Sequence, residues 1–249
     1  MTRNHQPGFP VVRVAIIPSF PVKRFIIFDS MGEAEMHSGD RRLIIRSDFY
    51  FYGDSATAEL ASIIAADIAG HWNDAMGIAR IRRNTFTVEF VINGFYVPDI
   101  QPETVWYNTN PKNNYFRIEE FSKAHVSFVD GINCNTGYFK LDNLLHNSTT
   151  AAHEYGHTLG LDHPRDLNIR GKGQPGIMYP RGTVCDPDFQ YDPYAEPLQA
   201  GGTLNPYTRK VLQTDIDLLK LRTLRWNREG VAVLGDFSSI YHEKHMPPQ

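Results

Sequence analysis

The stretch from His153 to His163, HEYGHTLGLDH, constrains this chain more than any other, because it sets three histidines, a glutamate and a glycine in the order H-E-x-x-H-x-x-G-x-x-H. On a helix, residues four apart share one face at roughly 6 Å along the axis, so His153 and His157 can aim their imidazoles at a single ion. Glu154 then points near that ion without binding it. A third ligand at a tetrahedral angle cannot come from the same helix face, so the helix must end and the chain must turn back. Gly160 permits the turn, since glycine adopts the left-handed conformation without a side-chain clash, and His163 is then free to swing in from a separate segment. The pattern predicts one Zn2+ held by His153, His157 and His163, with Glu154 as general base. The plainer reading, histidines lining a polar helix surface, leaves Glu154 and Gly160 without a purpose.

At these residues the chain resembles the metzincin clan of zinc peptidases. Gly176-Ile177-Met178-Tyr179-Pro180 is similar to the clan's Met-turn, in which a methionine forms an apolar floor beneath the three histidines. The run GHTLGLDHP looks most like serralysins and Met178-Tyr179-Pro180 like matrixins, so the resemblance does not settle on one subfamily. Relatives with a tyrosine that can touch zinc carry it two positions after the methionine. Here that position is Pro180, and Tyr179 is expected to pack under the turn. The prodomain cysteine motif and the second, structural zinc site of matrixins are missing, as are the glycine-rich calcium repeats of serralysins.

A chain of 249 residues with net charge -3 suits one sizeable domain, or two small lobes about a cleft, and gives no basic cluster that would suggest a nucleic-acid partner. No apolar run approaches the ~20 residues needed to span a membrane. The start, MTRNHQPGFP, lacks the apolar core of a signal peptide, so either the protein stays inside its cell or, as the resemblance implies, it is secreted and an export segment was cut away. Cys134 and Cys185 are either two free thiols or one bond between loops, and no disulfide scaffold.

Two short β-rich runs, Val11 to Pro18 and Val22 to Phe28, precede a polar stretch through Asp40; Arg41 to Tyr52 is strongly β-prone. After the turn at Gly53-Asp54-Ser55, the spacing of Leu60, Ile64, Ile68, Trp72 and Met76 predicts a long helix across a sheet, ended by Gly77. Thr85 to Ile92 alternates as a half-buried strand, Val97 to Asn114 reads as a long loop, and His125 to Asp130 and Tyr138 to Leu141 read as strands. The motif helix is expected between Asn143 and Gly160, capped by Asn147 or Ser148. Further on, Asn205-Pro206 and Thr214 to Asp217 offer helix starts, the second leading to about Trp226 with Leu218, Leu219, Leu221 and Leu224 facing the core.

The expected fold class is α+β: a metzincin-like zincin fold with a mixed twisted sheet, a long backing helix and an active-site helix above a cleft. A single catalytic domain would span 1-249, with an upper lobe of about 1-160 and a lower lobe of about 161-249 carrying the Met-turn and the terminal helix. By resemblance, the strand at Val126 to Val129, including Phe128, is the sheet edge against which an extended polypeptide substrate lies antiparallel; an ordinary internal strand is the alternative. The resemblance also places the specificity pocket within Arg181 to Leu212, where Phe189, Tyr191, Tyr194 and Tyr207 either line it or pack the loop. Asp130, Asn133, Asn135 and Asp142 offer oxygen atoms of the kind Ca2+ takes and equally make plain turns. The implied activity is that of a zinc metalloendopeptidase. A non-catalytic zinc-binding effector of the same fold and a zinc hydrolase of non-peptide amides or esters are the alternatives, and Glu154, needless without catalysis, argues against the first.

Overall fold

The computed structural model describes residues 32–146 and 148–247 of the chain. The expected strands at Val11 to Pro18 and Val22 to Phe28, and the Asn147 cap, lie outside the described residues. Strands β1 (Glu33–His37) and β2 (Arg42–Tyr52) lead into helix α1 (Ala58–Asn73), and β3 (Ile78–Ile81) and β4 (Asn84–Tyr96) follow as a hairpin. A one-turn helix α2 (Pro102–Trp106) precedes β5 (Asn113–Glu119), β6 (Phe128–Val129) and β7 (Thr136–Lys140), and the chain closes with α3 (Thr150–Thr158), α4 (Gln213–Leu218) and β8 (Val231–Val233).

The strands form one curled mixed sheet in the order β3-β4-β2-β5-β7-β6, with β1 beside the first half of β2 and β8 outside β1. β4, β2, β5 and β7 run parallel, and antiparallel β3 and β6 end the two sides. β2 sits centrally, which explains why its apolar stretches Leu43 to Ile45 and Phe49 to Tyr52, on either side of Arg46-Ser47-Asp48, put residues on both faces. Its Leu43, Ile45, Phe49 and Phe51 join the main core with α1 and α3, while Tyr52 packs with Ile100, Val105 and Tyr115 in a separate cluster. Residues 161 onward are mostly irregular, yet β8 returns to pair with β1, so the final stretch is tied into the sheet.

Helix α1 begins where Thr57 accepts a bond from the Leu60 N–H, and it buries Ile64, Ile68 and Trp72. It ends at Asn73, short of the expected Gly77, and Met76 is 83% exposed with φ 45°. A stripe spaced every four residues drifts by about 40° per step on a helix of 3.6 residues per turn, so its last member could not share the face of its first. Gly77 serves packing instead, because a Cβ there would lie 2.8 Å from Ile216 Cγ1.

Several strands escaped the sequence pattern. The expected loop from Val97 to Asn114 contains α2 and the first residues of β5. β5 reads NNYFRIE and is unpromising as a core strand, yet Arg117 and Glu119 pair at 2.6 Å and are both buried. β1, β3 and β8 are short or polar. The motif helix is also shorter than expected, starting at Thr150, with Thr149 as the residue before its first turn and the Ser148 hydroxyl accepting from the Thr150 N–H. The expected terminal helix to Trp226 breaks at Lys220, whose φ of 52° is left-handed. Leu218, on the solvent side of α4 before the break, is 54% exposed, while Leu219 and Leu221 are buried.

Helix α1 approaches the sheet closely at Gly94 of β4, where a Cβ would stand 2.1 Å from the Ala61 carbonyl oxygen. Gly94→Ala should therefore lower stability by about 1–3 kcal/mol, the usual cost of overpacking. An unchanged urea midpoint would mean that α1 does not approach β4 closely at Gly94.

Candidate metal centre

The site begins with the way α3 ends. Gly160 adopts φ 96°, its N–H bonds the His157 carbonyl at 3.0 Å, and the Leu161 N–H bonds the Gly156 carbonyl at 2.9 Å. That pair of bonds closes a helix through a left-handed residue. The turn then carries the Leu161 carbonyl to His157, whose Nδ1 lies 2.7 Å from it. His153 is held similarly, its Nδ1 2.7 Å from the Ile177 carbonyl.

With each Nδ1 donating to a carbonyl, the Nε2 atoms of both rings are left as acceptors facing inward. His163 Nε2 lies 3.1 Å from His153 Nε2 and 3.2 Å from His157 Nε2. Ligands about 2.0–2.1 Å from a tetrahedral zinc ion stand about 3.3 Å apart, so the two separations fit such an ion, as do the tautomers of His153 and His157. His153, His157 and His163 are thus the residues that could hold a metal. Burial lowers all three imidazole pKa values, most strongly at His153, where Arg209 adds to the effect, and this keeps the rings in the neutral form a metal requires.

Glu154 is buried beside this cluster. Burial pushes its carboxyl up to about 8, against the opposing pull of Arg209 and the nearby Val129 main chain. A cleft of about 370 Å³ opens over Glu154 and the histidines, with Val126, Ser127, Phe128 and Val129 along one wall. The regular strand there covers only Phe128–Val129, and Val126, expected within it, lies before it and is 46% exposed. β6 is nonetheless the sheet edge, antiparallel to β7.

The turn at Gly176 to Tyr179 does two jobs. It presents the Ile177 carbonyl to His153, and it buries Met178, 1% exposed, against the helix. A Cβ on Gly156 would come within 2.3 Å of Met178 Sδ, so the position just before His157 has to be glycine for Met178 to sit as it does. Tyr179 is half-buried and packs against the Ile169, Cys185 and Leu204 cluster, away from the histidines. Both cysteines are free, and Cys185 is part of that cluster.

One residue beyond the motif completes the site. Arg209 is buried, donates to the Tyr179 carbonyl at 2.9 Å and to Thr149 Oγ1 at 2.8 Å, and has its Nη1 3.0 Å from His153 Nδ1. Burial lowers its pKa to about 10. It ties the Met178 turn to the start of α3. Nothing in the sequence separates such an arginine from one on the surface, whereas Gly156 could have been noticed as the one position between His153 and His157 lacking a side chain. Phe189, Tyr191, Tyr194 and Tyr207 do not line the cleft; Tyr194 is 96% exposed, and Phe189 packs in the Cys185 cluster. Of the residues considered for calcium, Asp130 accepts from Thr136 and His242, Asn135 from Ser238, and Asp142 from Lys140. Among the described residues, no helix is long and apolar enough to cross a membrane. No protein-family model matches the chain, and no curated protein matches it.

Met178→Ala should cost about 2–5 kcal/mol in chemical denaturation, since the replacement leaves a cavity beneath α3; a loss within error of zero would deny Met178 that supporting role. A second prediction concerns pH. In metal-free protein the Glu154 carboxyl is raised from 4.5 to about 8, so the folded state holds its proton more tightly than the unfolded chain does. The resulting stability is complete below the unfolded pKa and is lost as pH rises through the folded one. Between about pH 5 and pH 8, chelator-treated wild type should lose more stability than Glu154→Gln, and parallel curves would show Glu154 to be solvated.

Proposed function

We propose that this protein is a zinc-dependent endopeptidase of metzincin type, acting on extended polypeptide. The observation that carries the reading is the convergence of three Nε2 atoms, with His153 and His157 turned by backbone carbonyls and a buried carboxylate beside them. The sheet supports it: four parallel strands end at a short antiparallel strand that borders the cleft. The Met178 turn beneath the histidine helix supports it as well.

His153, His157 and His163 would hold the zinc, which when bound supplies a Lewis acid that acidifies water and polarises a carbonyl. Glu154 accepts the proton of the attacking water as the new C–O bond forms, then delivers it to the leaving amine as the C–N bond breaks. Its burial makes its carboxylate a stronger base than an exposed one. Arg209 limits that effect, keeping the ionised form within reach.

Substrate is aligned by β6. Phe128 pairs with Tyr138, and the Asp130 N–H bonds the Thr136 carbonyl, so in an antiparallel ladder the intervening Val129 turns its main-chain groups away from β7. An extended peptide can pair with those groups, its scissile carbonyl lying over the histidines.

Zinc-loaded protein should cleave members of a diverse peptide library. Glu154→Ala should keep one zinc per chain while losing about 10²–10⁴-fold in turnover, whereas His157→Ala should lose the zinc itself. Absence of cleavage by fully loaded wild type, or near-normal turnover by Glu154→Ala, would overturn the reading.

A further inference from the structure

The edge of the sheet far from the histidines carries a second cleft, of about 510 Å³, between β3 and the segment from Gln213 to Arg222. Its floor is apolar, built from Ala79, Ile216 and Leu221, and Arg80, Lys220 and Arg222 stand exposed around it. Among the described residues, none of these three cations has a carboxylate within ion-pair distance, so their charge is not neutralised locally. Asp217 is the acid of the lining, and its Oδ1 accepts from Gln213 Nε2 at 2.8 Å. Arg82 and Arg83, both exposed, extend the positive surface along the β3–β4 turn.

Gln213 shows how this edge is read. Its side-chain amide accepts from the Ile78 N–H and donates to the Ile78 carbonyl, both at 2.9 Å, as the peptide group of a neighbouring strand would. Ile78 therefore faces away from β4, and so does Arg80, because alternate residues of an antiparallel strand turn their main-chain groups the same way. Among the described residues nothing pairs with the Arg80 N–H and carbonyl on that side. We propose that this cleft is a docking site for an acidic polypeptide segment in extended conformation, which continues the pairing that Gln213 begins and sets carboxylates against Arg80, Lys220 and Arg222. A free main-chain pair recognises a peptide backbone, and the lining offers no aromatic platform on which nucleic-acid bases would stack, so charge complementarity selects an acidic peptide over a nucleic acid.

The test is fluorescence anisotropy on the full chain with chelator present, so binding is read apart from any metal-dependent cleavage. The probes are a labelled peptide of alternating glutamate and valine, its glutamine counterpart, and a single-stranded RNA of similar length. The acidic peptide should bind in a salt-sensitive way, about tenfold tighter than the glutamine peptide, and should weaken about tenfold or more with Arg80→Glu combined with Arg222→Glu. Lys220→Gly removes a charge at a left-handed position that suits glycine, so it is expected to fold and to weaken binding by itself. Arg80→Pro should bind more weakly than Arg80→Ala, because only the proline removes the outward N–H. The proposal is overturned if the glutamine peptide binds equally well, if the charge variants bind as wild type does, if Arg80→Pro and Arg80→Ala bind alike, if RNA binds more tightly than the acidic peptide, or if no probe binds.

Discussion

Three imidazole nitrogens lying 3.1 and 3.2 Å apart are unfavourable company unless the two buried rings, His153 and His157, are fixed from behind. Lone pairs repel, and a buried ring with an unbonded N–H carries the cost of a lost hydrogen bond. The chain meets this by giving His153 and His157 a backbone carbonyl each, from Ile177 and Leu161. Neither carbonyl belongs to α3. One comes from the turn after Gly160 and the other from the turn before Met178, so two loops and a helix must be held in register for one small volume to exist.

The aromatic core supplies that register. Tyr155, between the histidines, packs edge-on against Phe49 and Trp72 and bonds Ser47 of β2, while the Trp72 Nε1–H bonds the Ala152 carbonyl at 3.0 Å. Helix α3 is short, and short helices owe their stability to packing more than to propensity. From the other side Arg209 binds Thr149 and the Tyr179 carbonyl, joining the helix start to the Met178 turn. A buried cation beside histidines also opposes their protonation, so the same residue that braces the loops keeps the rings neutral.

The two sides of the sheet are managed differently. β6 lies over the histidine cleft, with Val129 and Glu154 lining the same space. β3 is partly covered by Gln213, whose amide stands in for a strand. Exposed strand edges invite pairing, and here each is flanked by its own chemistry: a buried carboxylate at one and unpaired cations at the other.

The sequence by itself determined the spacing of His153, Glu154, His157 and His163 and the left-handed turn at Gly160, because a helix of fixed period and a glycine with φ 96° leave little choice once the residues are named, whereas the burial of Met178 was expected only from a resemblance. It also determined β2, α1 and the core of β4, whose apolar periods are strong. Tertiary structure decided the rest. β5 is polar in sequence and becomes a core strand because Arg117 and Glu119 pair with one another. Arg209 and Gly156 acquire their importance from neighbours distant in sequence, Tyr179 and Thr149 for one and Met178 for the other. The cationic cleft likewise joins Arg80 to Lys220 and Arg222 across most of the chain, and no linear scan of charge could assemble it. Local periodicity is written in neighbouring residues, whereas a pairing between distant segments exists only once the chain has closed upon itself.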